Sequence, residues 1–429
     1  MGRTLIIVAG KDPILASGGA ETYVRATGRA AIRAGYEPHI FCISNSSRTE
    51  STPFGTLYRA KSPIRPLRDL MLAAHHGYLL AAIDRFAARR GGPFLIHGFG
   101  PWGSVGVAAA RRLARRGAAC AAVTTAWSTY AHETQGKFRG ASRAHGWTTG
   151  FGLLCRSVWS RFTVSPLEGR GFRLSQLVLV NYDSVRRIVS ADHGEAIRFR
   201  KVRYSSEAAF LRDGAARAAL PDILSALEPR DAPLIVAVSR HDARKGVDVL
   251  LHALARLRRS GRRFRACLIG GDTLLAKHRA LAAELGLLDC TSLPGRVPDA
   301  YACLEHADIF ALPSLEEGSG SMSLLEAMQA RVAAVVSRID GLPEDVSDRD
   351  NALLVPPGDP AELSLALRQL VDDAALRRRL ARRAHATFRD RFSADAFAAD
   401  LATVYSDLGF APNRSVPRRT GSNRQSEAD

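Results

Sequence analysis

The alternation of short apolar runs with amphipathic stretches constrains this chain more than any other feature. The apolar run TLIIVAG at residues 4–10 is followed by the turn-rich loop KDPILASGG, a helix-period stretch over residues 20–33 and a second apolar run, PHIFCIS. Short apolar runs predict buried strands, and apolar residues at helical spacing between them predict crossover helices. Strand, loop, helix and strand in this order define a βαβ unit, the building block of parallel sheets.

The first half of the chain continues this alternation. Apolar runs at Phe94–His97, Cys120–Thr125 and Phe162–Ser165 predict further strands, and the amphipathic stretch Val105–Arg116 predicts a helix between two of them. Together these elements predict one doubly wound α/β domain over residues 1–210.

A second start follows a linker predicted at residues 211–230. Pro229, Asp231 and Pro233 disfavour a helix there, and LIVAVS then resumes a buried strand. Strand runs and helices alternate at short spacing up to VAAVVS, with helices predicted at Val247–Arg259, Lys277–Leu285 and Leu324–Ala330. A second doubly wound domain is therefore predicted over residues 231–390, which fits a length of 429 residues, more than one core usually organises.

The last part of the chain changes character. Residues 359–408 show only helical periodicity, and the final helix is predicted over residues 391–410. Residues 411–429 are mostly Arg, Ser, Asn, Gly and Pro, a composition that predicts a disordered tail.

The net charge of +18 is concentrated in the first half. Residues 1–205 hold 30 Lys and Arg against 11 Asp and Glu, whereas the remaining residues hold 30 against 31. A basic surface attracts phosphate backbones, so a nucleic-acid binder is one hypothesis. The chain lacks zinc-finger and RNP-like motifs and aromatic residues interleaved with basic ones, so nucleic acid is not the expected partner.

The six cysteines are scattered through apolar stretches without a CxxC pair, which indicates reduced, buried thiols and no zinc site or disulfide framework. The N-terminus lacks the pattern of a signal peptide, and no apolar run approaches the roughly 18 residues that a membrane span needs. We therefore expect a cytoplasmic protein, with peripheral contact to the inner membrane face as an extension of that prediction.

Two loops of the second domain carry charged residues where ligands of parallel sheets bind, beyond the carboxyl ends of the strands. In PSLEEGSGSMSLLEAM (313–328), a glycine-containing loop leads into a helix, so the backbone at Gly320, Ser321, Met322 and Ser323 is suited to a diphosphate. Glu317 and Glu326 flank this loop, and a carboxylate can accept two sugar hydroxyls. Ordinary helix-start charges are the alternative interpretation.

The loop SRHDARKG (239–246) places Arg240 and Lys245 where two cations can hold phosphates and stabilise a leaving group. Solvated surface charges are the alternative in a chain with 54 arginines. In the first domain, the loop ASGGAE brings Gly18 and Gly19 to a helix start, where the backbone can approach a ligand closely. His97 and His132 follow later strands, and a core or surface role for either histidine stays open.

Taken together, these motifs resemble a known family. GGAE, S-R-x4-K-G, LPGRVPD, ADIFALPS, EGSGSMSLLEAM, DGLPEDV and NALLVPPGDP occur in the order typical of the GT-B fold retaining glycosyltransferases of family 4. The resemblance extends to about Leu408 and is strongest over residues 231–408. It implies two Rossmann-like domains that face a cleft, with a nucleotide diphosphate sugar held mainly by the second domain. It also implies that the last helix returns to the first domain.

The resemblance also implies roles for single residues. Arg240 and Lys245 match the cations that hold the diphosphate. Glu317 matches the first glutamate of the family's E-x7-E motif, near the donor sugar, and Glu326 matches the second, on the ribose. The further matches are the glycine loop that closes over the diphosphate, Gly18 and Gly19, and the residues that meet the base, Arg296 and Val297.

Three departures from the family pattern are visible. Eight residues, not seven, separate Glu317 from Glu326, so the loop must absorb an extra residue. Trp127 stands where the family often has a histidine, and His132, five residues later, is the candidate to replace it. YSSEAAF (204–210) stands where an Asn-Gly turn is common.

The resemblance thus implies a retaining hexosyltransferase of polysaccharide or glycolipid assembly, with no cofactor, no metal and a sugar or lipid-linked acceptor. Arg240, Lys245, Glu317 and His132 are its predicted catalytic residues. The alternatives are a non-catalytic binding protein of the same fold and a GT-B fold epimerase or phosphorylase. The excess positive charge predicts contact with an anionic membrane surface.

Overall fold

The protein is described by a computed structural model. It describes residues 3–16, 18–62, 72–136, 147–225, 227–318 and 320–412, and within these ranges the side chains of residues 147–153 and 156 are not described. The tail predicted at residues 411–429 lies almost wholly outside the described residues.

The first half forms an eight-stranded sheet in the order β3-β4-β2-β1-β5-β6-β7-β8. Every pair is parallel except the β3–β4 hairpin. The strands are β1 (Arg3–Val8), β2 (Tyr36–Ser44), β3 (Arg48–Thr52), β4 (Gly55–Lys61), β5 (Phe94–Phe99), β6 (Cys120–Ala126), β7 (Leu177–Val180) and β8 (Phe199–Lys201). The central strands are buried along their length, because helices cover both faces of a parallel sheet.

The second half forms a six-stranded parallel sheet in the order β11-β10-β9-β12-β13-β14. Its strands are β9 (Leu234–Val238), β10 (Arg265–Ile269), β11 (Thr291–Gly295), β12 (Ile309–Leu312), β13 (Ala333–Ser337) and β14 (Leu353–Val355). The strand order reverses between β9 and β12, and such a switch point opens a crevice for ligands at the carboxyl edge of the sheet.

Helices surround the two sheets. Those of the first half are α1 (Gly19–Arg33), α2 (Leu72–Arg90), α3 (Gly103–Ala114), α4 (described over 130–136), α5 (Trp147–Thr163), α6 (Ser165–Leu174), α7 (Asp183–His193), α8 (Ala208–Leu211) and α9 (Asp222–Ser225). Those of the second half are α10 (Val247–Arg259), α11 (Leu275–Glu284), α12 (Ala300–Glu305), α13 (Met322–Gln329), α14 (Leu342–Asp345), α15 (Pro360–Asp372), α16 (Ala374–Arg391) and α17 (Ala394–Asp407). A single 3₁₀ turn at Gly100–Trp102 precedes α3.

The last helix, α17, packs against α1 of the first domain, as expected. Phe397 of α17 meets Tyr23 of α1 edge to face at 5.8 Å between ring centroids. Tyr405 of α17 lies with its hydroxyl oxygen 2.7 Å from Nδ1 of the fully buried His97. The predicted doubly wound α/β architecture with a returning helix is confirmed.

One predicted strand was wrong. Phe162–Ser165 is the junction between α5, which ends at Thr163, and α6, which begins at Ser165 with a proline in its first turn. A stretch of four residues with two apolar side chains is too short to show a period, so it cannot distinguish a buried strand from a helix end. The strand of this region is β7, Leu177–Val180.

The prediction of buried cysteines was also wrong in one place. Cys155 on α5 is exposed and Cys120 is partly exposed, whereas Cys42, Cys267, Cys290 and Cys303 are buried. The pattern around Cys155 is apolar, but the helix that carries it turns this apolar side toward solvent.

A buried polar contact joins the two halves. Tyr182, which follows β7, donates its hydroxyl proton to Oδ2 of Asp345 on α14 at 2.5 Å, and the Tyr204 hydroxyl lies 3.3 Å from the same oxygen. Asp345 is only 2% exposed, and this burial raises the pKa of its carboxyl to about 7 despite both hydroxyl contacts. Gly341 makes room for the Tyr182 ring, because a Cβ there would lie 2.3 Å from it.

Candidate functional site

The predicted donor residues gather at the carboxyl edge of the second sheet. Arg240 and Lys245 lie in the loop between β9 and α10, and Glu317 lies in the loop between β12 and α13. These two loops flank the switch point of the sheet. Backbone hydrogen bonds tie them together, since the N–H groups of Leu315 and Glu316 both donate to the carbonyl of Arg244, at 2.7 and 3.2 Å.

Lys245 and Glu317 form an ion pair in the cleft, with Lys245 Nζ 2.7 Å from Glu317 Oε2. Their side chains are 15% and 4% exposed, so this pair is largely shielded from water. The hydroxyl of Ser314 donates to the other carboxylate oxygen at 2.5 Å. The backbone of Gly246, which has a left-handed φ, packs closely against the carbonyl oxygen of Pro313, since a Cβ there would lie 2.1 Å from that oxygen. This contact positions the neighbouring Lys245.

Asp340 holds the loop that carries Glu317. Its Oδ2 accepts the backbone N–H groups of Glu317 at 2.7 Å and Gly318 at 3.0 Å. Gly318 has a φ of 69°, a left-handed conformation that favours glycine. Sequence reasoning missed this role, although Asp340 opens the motif DGLPEDV.

Arg240 is more exposed than Lys245, at 47% of its side chain. Its guanidinium faces Asp242 at 3.1 Å and Asp272 at 3.6 Å. No hydrogen bond or ion pair within the described parts of the chain links it to Lys245 or Glu317. The structure therefore places the two predicted cations on one loop, with only Lys245 paired to the catalytic candidate Glu317.

His132 reaches the cleft from the first domain. Its Nε2 lies 4.0 Å from Oε1 of Glu316, and the guanidinium of Arg244 lies 3.9 Å from the same oxygen. The side chain of His132 is 35% exposed. Helix α4 brings Gly136 against Glu316 as well, since a Cβ on that glycine would lie 2.2 Å from the carboxylate. The β12–α13 loop thus contacts both domains.

Glu326 lies on the second turn of α13 and is partly buried. Its burial, together with the carboxylates of Asp299 and Glu207, raises the pKa of its side chain to about 7. Across the described ranges, no hydrogen bond or ion pair to this carboxylate is formed. A carboxylate with this environment is available to accept hydroxyl groups of a ligand.

The start of α13 presents backbone N–H groups to the cleft. Ser321 is the N-cap, and its hydroxyl accepts the N–H of Leu324 at 3.4 Å, which leaves the N–H groups of Met322 and Ser323 without an acceptor among the described residues. Gly320, with a φ of 82°, packs against Tyr182, and a Cβ there would lie 2.0 Å from the tyrosine oxygen. The glycine at position 320 is therefore explained by contact between the domains.

Arg296 and Val297 follow β11 on the same sheet edge. Arg296 is exposed and lies beside the loop after β10. A Cβ built on Gly271 of that loop would lie 3.1 Å from Cγ of Arg296. Val297 is partly buried against the core. Both residues lie just beyond the carboxyl end of β11, which ends at Gly295.

A pocket of about 140 Å³ opens at the carboxyl edge of the first sheet. Trp127 lies in its wall, packed on Tyr23 and Phe99 at 5.4 and 5.5 Å between ring centroids. The acidic residues that line it are Glu21, Glu133 and Glu168. The carbonyl of Trp127 also lies against Gly318, 3.9 Å from a Cβ built there, so the pocket adjoins the donor loops.

Glu168 is buried and forms part of the wall of this pocket. Its carboxylate accepts the N–H of Tyr130 at 3.1 Å and lies 3.2 Å from Nε2 of His193. Burial raises the pKa of this carboxyl, and His193 and Tyr130 oppose that rise. Glu21 stands nearer the mouth, beside Gly18 at the start of α1, whereas Gly19 has open space around it.

His97, whose role the sequence left open, belongs to the core. Both of its ring nitrogens have hydroxyl partners at 2.7 Å, Tyr405 and Thr125, and burial lowers the pKa of the imidazole to about 3. A neutral, fully buried histidine between two hydroxyls fixes the returning helix and does not face the cleft.

The described residues hold neither a cluster of metal ligands nor a membrane-spanning helix. They contain no group of three or more His, Cys, Asp or Glu side chains arranged to hold a metal ion. None of the helices in the described part of the chain has the length and hydropathy to span a membrane.

Comparisons with known proteins agree with this geometry. The family described as Glycosyltransferase Family 4 matches residues 17–204, and the family described as Glycosyl transferases group 1 matches residues 223–387. A lipopolysaccharide core biosynthesis glycosyltransferase of Rhizobium meliloti is 30% identical over 58% of this chain and 71% of its own length. The D-inositol 3-phosphate glycosyltransferase of Corynebacterium efficiens is 34% identical over 44% of this chain and about half of its own length, 47%.

Solved structures share the whole architecture. Sucrose-phosphate synthase of Thermosynechococcus elongatus superimposes with a TM-score of 0.70 at 21% identity and covers 95% of this chain and 99% of its own. Anabaena HepE, solved in complex with UDP-glucose, superimposes with a TM-score of 0.64 at 17% identity over 94% of this chain and 99% of its own.

The two doubly wound sheets, the cleft between them and the returning α17 define a protein of the GT-B fold. Within that class, the chain belongs to the glycosyltransferases of the group 1 and family 4 type.

Proposed function

We propose that this protein is a retaining glycosyltransferase that moves a hexosyl group from a nucleotide diphosphate sugar to an acceptor hydroxyl. The observation that carries the proposal is the buried pair of Lys245 and Glu317 at the switch point of the second sheet, with the carboxylate of Glu326 on the helix that follows the same loop. Support also comes from the relatives described as a lipopolysaccharide core biosynthesis glycosyltransferase and a D-inositol 3-phosphate glycosyltransferase, and from HepE, which was solved in complex with UDP-glucose.

The donor lies across the start of α13 in this proposal. The free N–H groups of Met322 and Ser323 and the positive end of the helix dipole face the diphosphate. Glu326 accepts the ribose hydroxyls, and Glu317 accepts hydroxyls of the sugar. Lys245, now held by Glu317, and Arg240, now half-exposed, supply the two positive charges that stabilise the leaving diphosphate.

Transfer follows a same-face substitution. The bond between the sugar C1 and the diphosphate oxygen breaks, and its electron pair stays on that oxygen. The acceptor oxygen forms the new bond to C1 on the same face, and its proton passes to the departing phosphate oxygen. The cationic groups stabilise the charge that develops on the phosphate, and we propose that no metal and no cofactor is required.

The acceptor enters from the first domain. The pocket walled by Trp127 and lined by Glu21 and Glu133 adjoins the donor loops, and carboxylates with an aromatic wall suit a sugar ring. His132 stands within 4.0 Å of Glu316 at the seam between the domains and is our candidate to take the role of the histidine that Trp127 replaces. Gly18 and Gly19 directly precede Ala20 and Glu21, which line this pocket.

The charge asymmetry extends the proposal to the membrane. A diphosphate needs only a few cations, whereas residues 1–205 carry a net charge of +19. Anionic headgroups attract basic surfaces by about 1 kcal/mol for each nearby Lys or Arg. We propose a peripheral enzyme at the inner membrane face that uses a lipid-linked or acidic acceptor of polysaccharide or glycolipid assembly.

A non-catalytic binding protein of the same fold is the second candidate. Two observations favour it: Trp127 replaces the usual histidine, and the loop between Glu317 and Glu326 has an additional residue. Such a protein binds the nucleotide sugar without consuming it.

A panel of UDP-, GDP- and ADP-sugars tests the proposal. The unfolding temperature should rise with the sugars of one base. A nucleotide sugar present at 100 times its dissociation constant should stabilise the protein by about 2.7 kcal/mol. Release of the nucleoside diphosphate in buffer with EDTA then separates the enzyme from the binding protein. If no nucleotide sugar stabilises the chain, the donor site is wrongly assigned.

A further inference from the structure

Helix α5 has its polar and apolar sides reversed relative to a normal surface helix. Among the residues whose side chains are described, Ser160 is fully buried, whereas four apolar residues face solvent. Their exposed fractions are 44% for Leu154, 51% for Val158, 53% for Trp159 and 76% for Phe162. We refer to these four residues as the apolar stripe.

The stripe is continuous on the helix. At about 100° per residue, Leu154, Val158 and Phe162 follow one another on one side, and Trp159 extends that side. Exposed Cys155 lies within the same arc, and exposed Arg161 lies at its edge. Packing with the remainder of the protein is chiefly through α6, the next helix. A contiguous exposed apolar surface of this kind marks an interaction site.

The composition of the sequence that contains α5 indicates the partner. From residue 134 to residue 167 the sequence holds five basic residues and no Asp or Glu. A helix with aromatic and aliphatic side chains on one side, in a basic stretch, is suited to lie in the interface of an anionic bilayer. Trp and Phe are favoured at that depth.

The position of α5 relative to the site favours the same partner. Helix α6, on which α5 packs, supplies Glu168 to the wall of the first-domain pocket. A bilayer against α5 therefore lies one helix away from the place where we propose that the acceptor enters. A lipid-linked acceptor can then reach the pocket while its lipid stays in the membrane.

We infer that the apolar stripe of α5 inserts into the interface of an anionic membrane and docks the enzyme there. The helix lies in the membrane plane, with Leu154, Val158, Trp159 and Phe162 among the acyl chains and Arg161 at the headgroups. This inference rests on the membrane association proposed above and names the surface that provides it.

The stripe variant Trp159→Ser with Phe162→Ser tests the inference in the full-length protein. Both side chains are more than half exposed, so their loss should leave folding unchanged. Binding to vesicles of phosphatidylcholine with phosphatidylglycerol, measured by co-sedimentation, should fall at least tenfold. The matched control is Leu288→Ser with Leu365→Ser, two apolar residues of the second domain that are 60% and 42% exposed, and it should bind as the wild type does.

A second readout reports the contact directly. A polarity-sensitive dye on the exposed Cys155 should shift its emission to the blue when anionic vesicles are added, and Cys155→Ser should remove most of the label. No shift while the protein binds vesicles would mean that another surface docks.

The remaining outcomes separate this inference from the proposed enzyme function. Equal vesicle binding by the wild type and the stripe variant overturns the role of α5, and no binding by the wild type overturns membrane docking altogether. If the stripe variant converts an oligomer to a monomer in light scattering without losing vesicle binding, the stripe is a contact between copies. Donor stabilisation, measured in parallel, stays intact in all of these cases unless the glycosyltransferase proposal itself fails.

Discussion

Removal of the cation from the pair of Lys245 and Glu317 should cost stability as well as donor binding. The variant Lys245→Met keeps most of the side-chain length but leaves the carboxylate of Glu317, 4% exposed, without its partner 2.7 Å away. At an effective dielectric constant of about 20, the lost attraction is about 6 kcal/mol before solvation is considered. Removing one member of a buried pair costs about 3–5 kcal/mol.

We expect the lower end, about 3 kcal/mol in the free energy of unfolding, because Lys245 is partly solvated and the Ser314 hydroxyl still donates to Glu317. Urea unfolding at neutral pH measures it. The double variant Lys245→Met with Glu317→Gln removes the unpaired charge and should recover more than half of the loss.

Donor binding should behave differently in the same series. The double variant folds stably but lacks the cation for the diphosphate, so its affinity for the nucleotide sugar should stay at least tenfold below that of the wild type. The reasoning is refuted if Lys245→Met unfolds at the same urea concentration as the wild type. A double variant that regains donor affinity would show that Lys245 does not contact the phosphates.

Three further predictions concern Glu326, Asp345 and Gly320. The carboxyl of Glu326 has a raised pKa of about 7, and its ionised form accepts the ribose hydroxyls in our proposal. Donor affinity, measured by titration calorimetry, should therefore fall by up to about tenfold for each pH unit below 7. The variant Glu326→Gln should bind the donor weakly and without this pH dependence. Asp345 binds its proton more tightly in the folded than in the unfolded protein, so the wild type loses stability as pH rises from about 4 to 7. Between pH 4 and pH 8, the free energy of unfolding of Asp345→Asn should therefore rise by roughly 3–4 kcal/mol relative to that of the wild type, as measured by urea unfolding. A difference that stays constant with pH would contradict this. Gly320→Ala should destabilise the protein by about 2–4 kcal/mol, since its Cβ would lie 2.0 Å from the Tyr182 oxygen at a left-handed φ, and unchanged thermal unfolding would contradict that packing.

The second sheet was the more predictable half of the fold. The helix predicted at Val247–Arg259 has those bounds in the structure, because its apolar period is clean and Gly246 marks its start. The first half was harder. The polar hairpin strand β3 has no apolar alternation, and the exposed apolar stripe of α5 resembles the buried side of an element, which led to a strand at Phe162–Ser165.

The candidate site shows the same division. The loops after β9 and β12 could be identified from sequence, because parallel sheets place ligands beyond their carboxyl ends. The partners that orient those loops could not. Asp340 and Ser314 act on Glu317 through loop geometry, and the contact of Tyr182 with Asp345 joins residues 163 positions apart. Nothing in local pattern or composition encodes such contacts.

Transfer with retention from a nucleotide diphosphate sugar is the central claim, and proton NMR of the reaction tests it most directly. The donor that stabilises the chain is incubated with the protein and a panel of alkyl glycosides in buffer with EDTA, and the anomeric protons of donor and product are followed together with the released nucleoside diphosphate. We predict one new anomeric signal with the configuration of the donor, formed in equal amount to the nucleoside diphosphate and lost in Lys245→Met. A product of the opposite configuration, or a bound donor that is never consumed, would contradict the proposed chemistry.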